Sequence, residues 1–265
     1  MSVNDRASAA SPCSPRVQLS AEDVKRDVDV VLWSMRLCSI RRYFHQRFWE
    51  AETLDAEYAA RVEPGIRLES VAEHSWHVAD TVLLLAGHFD WLDLNRSVAL
   101  ALLHDKMEIV IGDKNPVGRS GTGLTTHAFN VDRRFLKENS ERAAVAKYLW
   151  KLRPSARASQ ERLLLELLDG STEESRFVKA IDKLQALAFV ILKKKGNFLD
   201  KHLRFTVKYS EKVVGYFPPL RCHYDEIRSR LLVQVARRRG TTVGRLEGVI
   251  QDVQLPLFEL PGRQA

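Results

Sequence analysis

The chain has 265 residues, of which 45% are hydrophobic and 28% charged, so it can bury one substantial core and has the composition of a globular protein. No apolar run is long enough to cross a bilayer, which argues against a membrane-spanning protein. The net charge of +7, from 41 basic and 34 acidic residues, favours phosphorylated partners but equally suits a solvated basic surface.

Apolar residues recur with helical spacing along most of the chain. Residues 1–17, rich in Ser, Ala and Pro, predict a flexible tail. Ser20 is the predicted N-cap of a first helix that runs through Trp33. Further helices are predicted over about 71–89, 96–111, 128–152, 160–168, 174–195, 201–214 and 223–238. No alternating strand pattern stands out, so the expected fold class is all-α.

These helices predict one domain of catalytic size with a C-terminal appendage. We place the domain at residues 18–217, a short basic helix at 218–239 and a flexible tail at 240–265. The break between the domain and the basic helix falls at a proline pair in the segment 216–220. The loop 112–126, which follows the third helix, is long enough to line a site.

Four side chains of metal-binding type interrupt the apolar helices. His104 and Asp105 follow the apolar run 98–103, His74 lies among valines, and Asp182 lies on a mostly apolar helical face. A buried carboxylate without a partner is costly, and the usual remedy is a cation. Together the four residues predict one divalent-metal site, against the alternative of a metal-free helical core.

The residue types also indicate the chemistry of such a site. Two imidazoles and two carboxylates balance a dication and suit Mn²⁺, Co²⁺, Fe²⁺, Zn²⁺ or Mg²⁺. Glu108 lies four residues beyond His104, on the same face of the predicted helix. A carboxylate in that place can reach water at the ion without binding the ion, so we expect Glu108 to move a proton.

Three sequence blocks resemble those of a known superfamily. ESVAEHS begins at Glu69, ALLHDKMEIVIGD at Ala101 and FVKAIDKL at Phe177. They resemble the signature blocks of the HD-domain metal-dependent phosphohydrolases, and most closely those of the branch of small 5′-deoxynucleotidases. The resemblance covers roughly residues 25–215 and includes flanking residues as well as the metal-binding ones. It implies an HD-type helical bundle.

The resemblance also implies roles for individual residues. It implies one divalent ion held by His74, His104, Asp105 and Asp182. Glu108 would be the catalytic carboxylate, and Asp113 would contact the sugar 3′-hydroxyl. Arg42 would bind the phosphate, with Arg41 as a competitor because the register there is open. A homodimer is implied as well.

Two departures from the branch leave questions open. An extra stretch, about 46–61, separates Arg42 from the ESVAEHS block, so entry of Arg42 into the pocket is in question. Tyr43 stands where some members have a tryptophan that discriminates against the ribose 2′-hydroxyl, so a preference for deoxyribose stays open. Lys106 and Lys114 border the predicted pocket and are candidate phosphate contacts.

Other basic and aromatic residues near the blocks are assigned to structure. Lys179 and Lys183 flank Asp182, and we expect both to be solvated or paired along the helix. His77 shares a face with His74, but its neighbour Trp76 favours a packing role over metal binding.

The C-terminal tail contains a short motif of a different kind. Gln254, Leu255, Leu257 and Phe258 resemble the pentapeptide by which bacterial replication and repair proteins bind the sliding clamp. A short extended peptide of this type places its Leu and Leu-Phe side chains in apolar pockets. The alternative is that these apolar side chains fold back on the domain.

The leading hypothesis is a metal-dependent phosphohydrolase that removes phosphate from a (deoxy)nucleoside 5′-monophosphate. The alternatives are a nucleoside triphosphate or alarmone hydrolase of the same superfamily, a nuclease, and a clamp-tethered adaptor. A triphosphate would need more cations around the pocket than Arg42 and one lysine. Three widely spaced cysteines indicate free thiols in a reducing cytosol, so we expect a cytoplasmic protein.

Overall fold

The computed structural model describes residues 20–43 and 68–251, and the regular elements in these ranges are helical. The α-helices, numbered in chain order, are α1 (Ala21–Ser34), α2 (Val71–Leu85), α3 (Leu94–Leu103), α4 (Glu108–Ile111), α5 (Val131–Lys151), α6 (Pro154–Asp169), α7 (Glu173–Lys194), α8 (Asp200–Val214), α9 (Arg221–Arg239) and α10 (Val243–Gln251). No β-strand occurs within the described ranges, only an isolated bridge between Arg41 and Ser70. The expected all-α class is confirmed.

Three sequence predictions fall outside the described residues. They concern the N-terminal tail 1–17, the extra stretch 46–61 and the clamp-like pentapeptide 254–258. These stay predictions. Of the helices in the described ranges, none combines the length and the apolar character needed to span a bilayer.

Side-chain caps set the first residues of the helices that carry the site. The Ser20 hydroxyl accepts a hydrogen bond from the Asp23 amide, so α1 begins where the sequence predicted. At the start of α2, Ser70 and Glu73 form a reciprocal capping box. Thr172 begins α7 with a capping box of its own. These caps fix where α2 and α7 enter the core, and therefore where their polar residues emerge.

The main core forms around α7, which packs against α2, α3, α8 and α9. Phe177 and Ile181 of α7 are completely buried, as are Val78 of α2 and Leu100 of α3. Burial of a large apolar side chain stabilises the fold by roughly 1.5–3 kcal/mol. Because α2, α3 and α7 share this core, polar residues at its edge are held at fixed separations.

The predicted third helix is not continuous. The chain forms α3, then turns through residues 104–107, then forms the short helix α4. The His104 Nδ1–H donates to the Ala101 carbonyl at 2.6 Å, the carbonyl that would otherwise accept from the amide four residues on. The following amides bond three residues back, as that of Lys106 does to the Leu103 carbonyl at 3.0 Å. Glu108 is therefore not on one helical face with His104, as the sequence had suggested.

The predicted basic appendage 218–239 is part of the main core. Its helix α9 buries Leu231, Leu232 and Val235 in the same cluster as the α7 side chains. The high charge of the segment lies on its exposed face, and this obscured the apolar stripe in the sequence. The boundary placed at residue 217 therefore does not separate two packing units.

The predicted flexible tail 240–265 begins with a helix instead. Leu246 and Ile250 of α10 are each 1% exposed and join the main core. The Arg228 guanidinium of α9 also binds the Glu247 carboxylate of α10 with two hydrogen bonds, at 2.8 and 2.5 Å. The glycines and threonines before α10 predicted flexibility, but tertiary packing overrides that local preference.

Candidate metal centre

Four side chains that the sequence singled out lie together at the edge of the core. His74 comes from α2, His104 and Asp105 from the turn after α3, and Asp182 from α7. The His74 Nε2 lies 3.1 Å from both the His104 Nε2 and the Asp182 Oδ1. The Asp105 Oδ2 lies 3.2 Å from the His104 Nε2 and 3.6 Å from the His74 Nε2.

The tautomer of each imidazole follows from its hydrogen bonds. The His104 Nδ1 carries hydrogen because the Ala101 carbonyl, 2.6 Å away, can only accept. Gln185 donates its Nε2 to the Glu69 carboxylate at 2.6 Å, so its Oε1 faces the His74 Nδ1 at 2.6 Å and accepts from it. When both rings are neutral, their Nε2 atoms therefore present lone pairs to one another. A cation between them would turn this repulsion into attraction.

Donor atoms of His74, His104 and Asp182 all lie within 4.8 Å of one another, and these three residues could hold one divalent ion. Two donors that each lie about 2.0–2.2 Å from one ion are at most roughly 4.4 Å apart, and the Asp105 Oδ2 meets this limit towards the two histidine Nε2 atoms. The Asp182 Oδ1 is buried and accepts no hydrogen bond from the described residues. Such an orphaned oxygen, facing two nitrogen lone pairs, is what a bound cation would satisfy.

The electrostatics of the site favour the metal-binding forms of these groups. Burial, reinforced by the charge of Arg42, lowers the pKa of His74 to about 4, so its ring is neutral near pH 7. Burial alone would neutralise the two aspartates. Lys183 nevertheless holds the pKa of Asp182 well below its usual range, and His104 does the same for Asp105.

His104 behaves differently from His74. Burial lowers the pKa of His104, but the neighbouring Asp105 carboxylate outweighs burial and raises it. A proton and a cation therefore compete for the His104 Nε2.

Arg42 lies over the four groups, although the stretch that follows it had put this in question. A backbone pairing holds it there, since the Arg42 amide donates to the Glu69 carbonyl at 2.9 Å. The Arg42 guanidinium is 3.8 Å from both the Asp105 Oδ2 and the Asp182 Oδ1. Its buried Nη1 has no hydrogen-bond partner among the described residues. These distances exceed hydrogen-bonding range, so the fork is available to a ligand.

Arg41, the competitor, points elsewhere. Its Nη1 donates to the Leu68 carbonyl at 3.3 Å and to the Glu73 carboxylate at 3.4 Å. The Arg41 side chain does not line the site cavity, which includes Arg42. Of the two candidate arginines, Arg42 therefore lines the cavity and Arg41 does not.

Glu108 and Asp113 line the same cavity as His104, Asp105 and Asp182. The Glu108 Oε2 is buried and without a hydrogen-bond partner among the described residues. Burial, and then the charges of Asp105 and Asp113, raise the pKa of Glu108 well above its usual value. Gly112 ends α4 with a φ of +70°, which favours glycine, and this turn brings Asp113 to the cavity.

Tyr43 lies next to Asp113. Its amide donates to the Asp113 Oδ2 at 3.3 Å, and its ring stacks on Phe189 with the centroids 5.4 Å apart. Tyr43 and Asp113 also line a smaller, mostly apolar recess that adjoins the main cavity. Tyr43 thus lies beside Asp113, the predicted contact for the sugar.

Lys106 does not border the pocket as the sequence predicted. Its ammonium donates to the Ser34 hydroxyl at 3.0 Å and faces the Tyr148 ring, and it does not line the cavity. The turn at residues 104–107 rotates Lys106 away from the adjacent Asp105. Lys114, the other candidate, does line the cavity.

Several cavity residues escaped the sequence analysis. Lys183, expected on a solvated or helix-pairing face, has its ammonium 2.6 Å from the Asp182 Oδ2 inside the cavity. The cavity lining carries further basic groups, which are His127, Arg134, Lys137, Lys179 and Lys212. The lysines and the arginine of this set lie on α5, α7 and α8 with the spacing of an ordinary solvated face, so no sequence signal separated them from surface charge.

The cavity itself has a volume of about 280 Å³. This is close to the lower end of the roughly 300–1,000 Å³ of small-molecule sites. The cavity therefore suits a small polar ligand.

Comparisons with known proteins identify the family of the chain. The family model of the HD domain matches residues 59–215. The 5′-deoxynucleotidase hdd1 of Schizosaccharomyces pombe is 26% identical over 122 residues, which is 45% of this chain and 56% of that protein. The match thus spans little more than half of the relative's length.

Two solved structures share the fold at low identity. One is a predicted metal-dependent phosphohydrolase from Magnetospirillum magnetotacticum MS-1, with a TM-score of 0.54 and 21% identity over 83% of this chain and 98% of that one. The other is a conserved hypothetical protein from Pyrococcus furiosus, with a TM-score of 0.51 and 22% identity over 76% of this chain and 99% of that one. At these identities the likeness concerns the fold.

Proposed function

Because the chain belongs to the HD-domain family of metal-dependent phosphohydrolases, we propose that it removes the phosphate from a nucleoside or deoxynucleoside 5′-monophosphate. One observation carries the proposal: the Arg42 guanidinium, whose buried Nη1 makes no hydrogen bond to the described residues, lies 3.8 Å from two of the carboxylates that would hold the ion. A phosphate placed there meets the arginine and the ion together. The similarity to a 5′-deoxynucleotidase supports a nucleotide as the substrate.

In this proposal, one set of site residues binds the ion and Arg42 binds the phosphate. His74, His104, Asp105 and Asp182 would hold the ion, for which Mn²⁺, Co²⁺, Fe²⁺, Zn²⁺ and Mg²⁺ are the candidates. Such an ion lowers the pKa of water and polarises a phosphoryl oxygen. Arg42 would donate two parallel hydrogen bonds to the remaining phosphoryl oxygens and so orient the phosphorus.

Glu108 would move the proton that the reaction requires. Hydrolysis forms a bond between water oxygen and phosphorus and breaks the bond between phosphorus and the sugar 5′-oxygen. One proton of the water must reach that leaving oxygen. The Glu108 Oε2 is buried, unpaired among the described residues and within the same cavity, so it would carry this proton.

Asp113 would select the sugar. Its carboxylate accepts from the Tyr43 amide and keeps acceptor capacity for a sugar hydroxyl. Tyr43 fixes the orientation of Asp113 through this bond. The smaller recess that both residues line adjoins the main cavity and would receive part of the nucleoside.

A hydrolysis screen with matched variants tests the proposal. Purified protein supplemented with each candidate metal should release inorganic phosphate from nucleoside 5′-monophosphates. Asp105→Ala should lose both metal and activity, whereas Glu108→Ala should keep the metal and lose roughly 10²–10⁴-fold in kcat. Arg42→Lys should raise KM, because a lysine cannot form the fork.

Lys106→Ala is the control, since Lys106 carries charge next to the site but faces Ser34. Its KM should equal that of the wild type. Full turnover in Glu108→Ala would remove Glu108 from the mechanism. Absence of phosphate release from every monophosphate with every metal would overturn the proposal.

A further inference from the structure

The cavity has a second group of charged residues besides the metal centre, and we call this group the basic wall. Arg134 and Lys137 lie three residues apart on one face of α5, and Lys212 lies on the cavity face of α8. His127, from the loop before α5, lines the same cavity. The reaction proposed above uses none of the residues of this wall.

Two of these cations lack a neutralising carboxylate. The Lys212 ammonium donates only to the Ala128 carbonyl at 3.0 Å and faces the Phe129 ring, and no acid pairs with it in the described chain. Burial, and then the charge of Arg134, lowers the pKa of Lys212 to about 8. The Arg134 guanidinium likewise forms no ion pair within residues 20–43 and 68–251. Two uncompensated cations therefore lie close enough to repel each other.

The pKa of His127 is also lowered by the positive charges around the cavity. Burial, and then the charges of Lys137, Lys183, Arg134 and Lys212, lower the pKa of its ring to about 3. The ring is neutral near pH 7 and keeps one N–H to donate. Two carboxylates line this part of the cavity as well: Glu141 pairs with Lys137, whereas Glu138 is exposed to solvent and forms no ion pair among the described residues. The charges of Arg134 and Lys212 therefore have no ion-pair partner in the described chain, and a bound anion would offset them.

We propose that the substrate carries a second phosphoryl group, which binds between Arg134, Lys212 and His127 while the phosphate to be removed binds at Arg42. The inference rests on the proposed function and narrows it to nucleotides with two phosphoryl groups. A phosphoryl group suits this wall because it brings about two negative charges and three acceptor oxygens. Arginine binds it through two parallel hydrogen bonds, and lysine and histidine add one donor each.

The size of the cavity favours a free nucleotide over a nucleic acid. A volume of about 280 Å³ accommodates one nucleotide unit, and the basic wall lines it together with His104, Asp105 and Asp182. The second phosphoryl group has two chemical sources. One is the 3′-phosphate of a nucleoside 3′,5′-bisphosphate, in which the bond from phosphorus to the sugar 5′-oxygen breaks as above. The other is a nucleoside 5′-diphosphate, in which water displaces the terminal phosphate, the bond from its phosphorus to the bridging oxygen breaks, and the nucleoside monophosphate leaves.

The inference is tested by comparing three phosphorylated forms of one nucleoside as substrates. The kcat/KM is measured for the 5′-monophosphate, the 3′,5′-bisphosphate and the 5′-diphosphate, with single-stranded oligonucleotide as a fourth arm. At least one of the two-phosphate nucleotides should exceed the monophosphate, and which one does so identifies the source. Lys212→Gln and Arg134→Gln should each lower the ratio of two-phosphate to monophosphate kcat/KM roughly tenfold, the effect of losing one charge-assisted hydrogen bond.

Lys147→Gln is the charge-matched control, because Lys147 is exposed on α5 and does not line the cavity. It should leave the ratio unchanged. Two variants on different helices keep the test valid if one of them fails to fold. Equal losses for mono- and two-phosphate nucleotides in both variants would overturn the inference, as would preference for the oligonucleotide.

A binding measurement separates this inference from the proposed function. Calorimetry in the presence of chelator, where no hydrolysis occurs, compares the affinity for the bisphosphate and the monophosphate. Weaker bisphosphate binding in Lys212→Gln but not in Lys147→Gln supports the second site even if no monophosphate is hydrolysed. Normal monophosphate hydrolysis with equal affinities for the two ligands overturns the second site and leaves the proposed function standing.

Discussion

Replacement of Gln185 by leucine should weaken metal binding without touching any metal ligand. Gln185 accepts from the His74 Nδ1–H and donates to Glu69, each at 2.6 Å, and is 7% exposed. Leucine is of similar volume but offers neither bond. The His74 ring would then lose the contact that fixes its tautomer and keeps the Nε2 lone pair directed at the site.

The magnitude follows from the buried contacts. Loss of a partner that orients a metal ligand typically weakens metal affinity by about 10–100-fold, or roughly 1.4–2.7 kcal/mol. The substitution also leaves the His74 Nδ1 and the Glu69 Oε1 buried without a partner. Each such group costs about 1–3 kcal/mol of folding stability. Both losses should appear in Gln185→Leu.

The Kd for Mn²⁺ is measured by calorimetric titration of protein from which metal has been removed with chelator. Chemical denaturation of the same variants gives the free energy of unfolding. Gln160→Leu is the matched control, since Gln160 accepts from the buried Tyr148 hydroxyl at 2.5 Å outside the metal site. That variant should lose stability and keep the wild-type Kd for Mn²⁺. An unchanged Kd in Gln185→Leu would refute the reasoning, and so would an equal loss of affinity in both variants.

Two further predictions concern stability. Leu246→Ala should lower the free energy of unfolding by about 2–5 kcal/mol, because Leu246 is 1% exposed in the main core. If denaturant titration gives an unchanged free energy of unfolding, Leu246 is not packed in the core, and the segment is a flexible tail as the sequence predicted. His202 is 6% exposed, and burial, followed by Lys194 and Lys201, lowers its pKa to about 4. The unfolded chain, with a pKa of about 6.5, then binds the proton more readily, so stability is lost as pH falls below about 6.5. Between pH 7 and 5 the wild type should lose roughly 2 kcal/mol more than His202→Gln, and parallel pH profiles would contradict this.

The helices and the residue types of the site could be predicted from the sequence because both depend on local signals. Apolar periodicity indicates a helix wherever it occurs, and Ser20 and Gly112 mark helix ends through their own backbone and side-chain preferences. Histidine and aspartate at the edge of apolar runs indicate a buried polar site. The three blocks around His74, His104 and Asp182 were therefore recognisable without coordinates.

Other features could not be predicted because they depend on packing. The turn at 104–107 interrupts a sequence with helical periodicity, and it is this turn that directs Lys106 away from the cavity. The α10 helix has weak local signals and forms against α8 and α9. The basic wall around Arg134 and Lys212 has the sequence of a solvated surface, and only its position in the cavity distinguishes it.

The sequence by itself thus determined the helical class, the metal-binding residue types and the family to which they belong. The tertiary structure decided which of these side chains meet and in which protonation form they do so. The His74 tautomer depends on Gln185, 111 positions further along the chain. No local pattern encodes such a contact, because it arises only when α2 and α7 bury their apolar faces against one another.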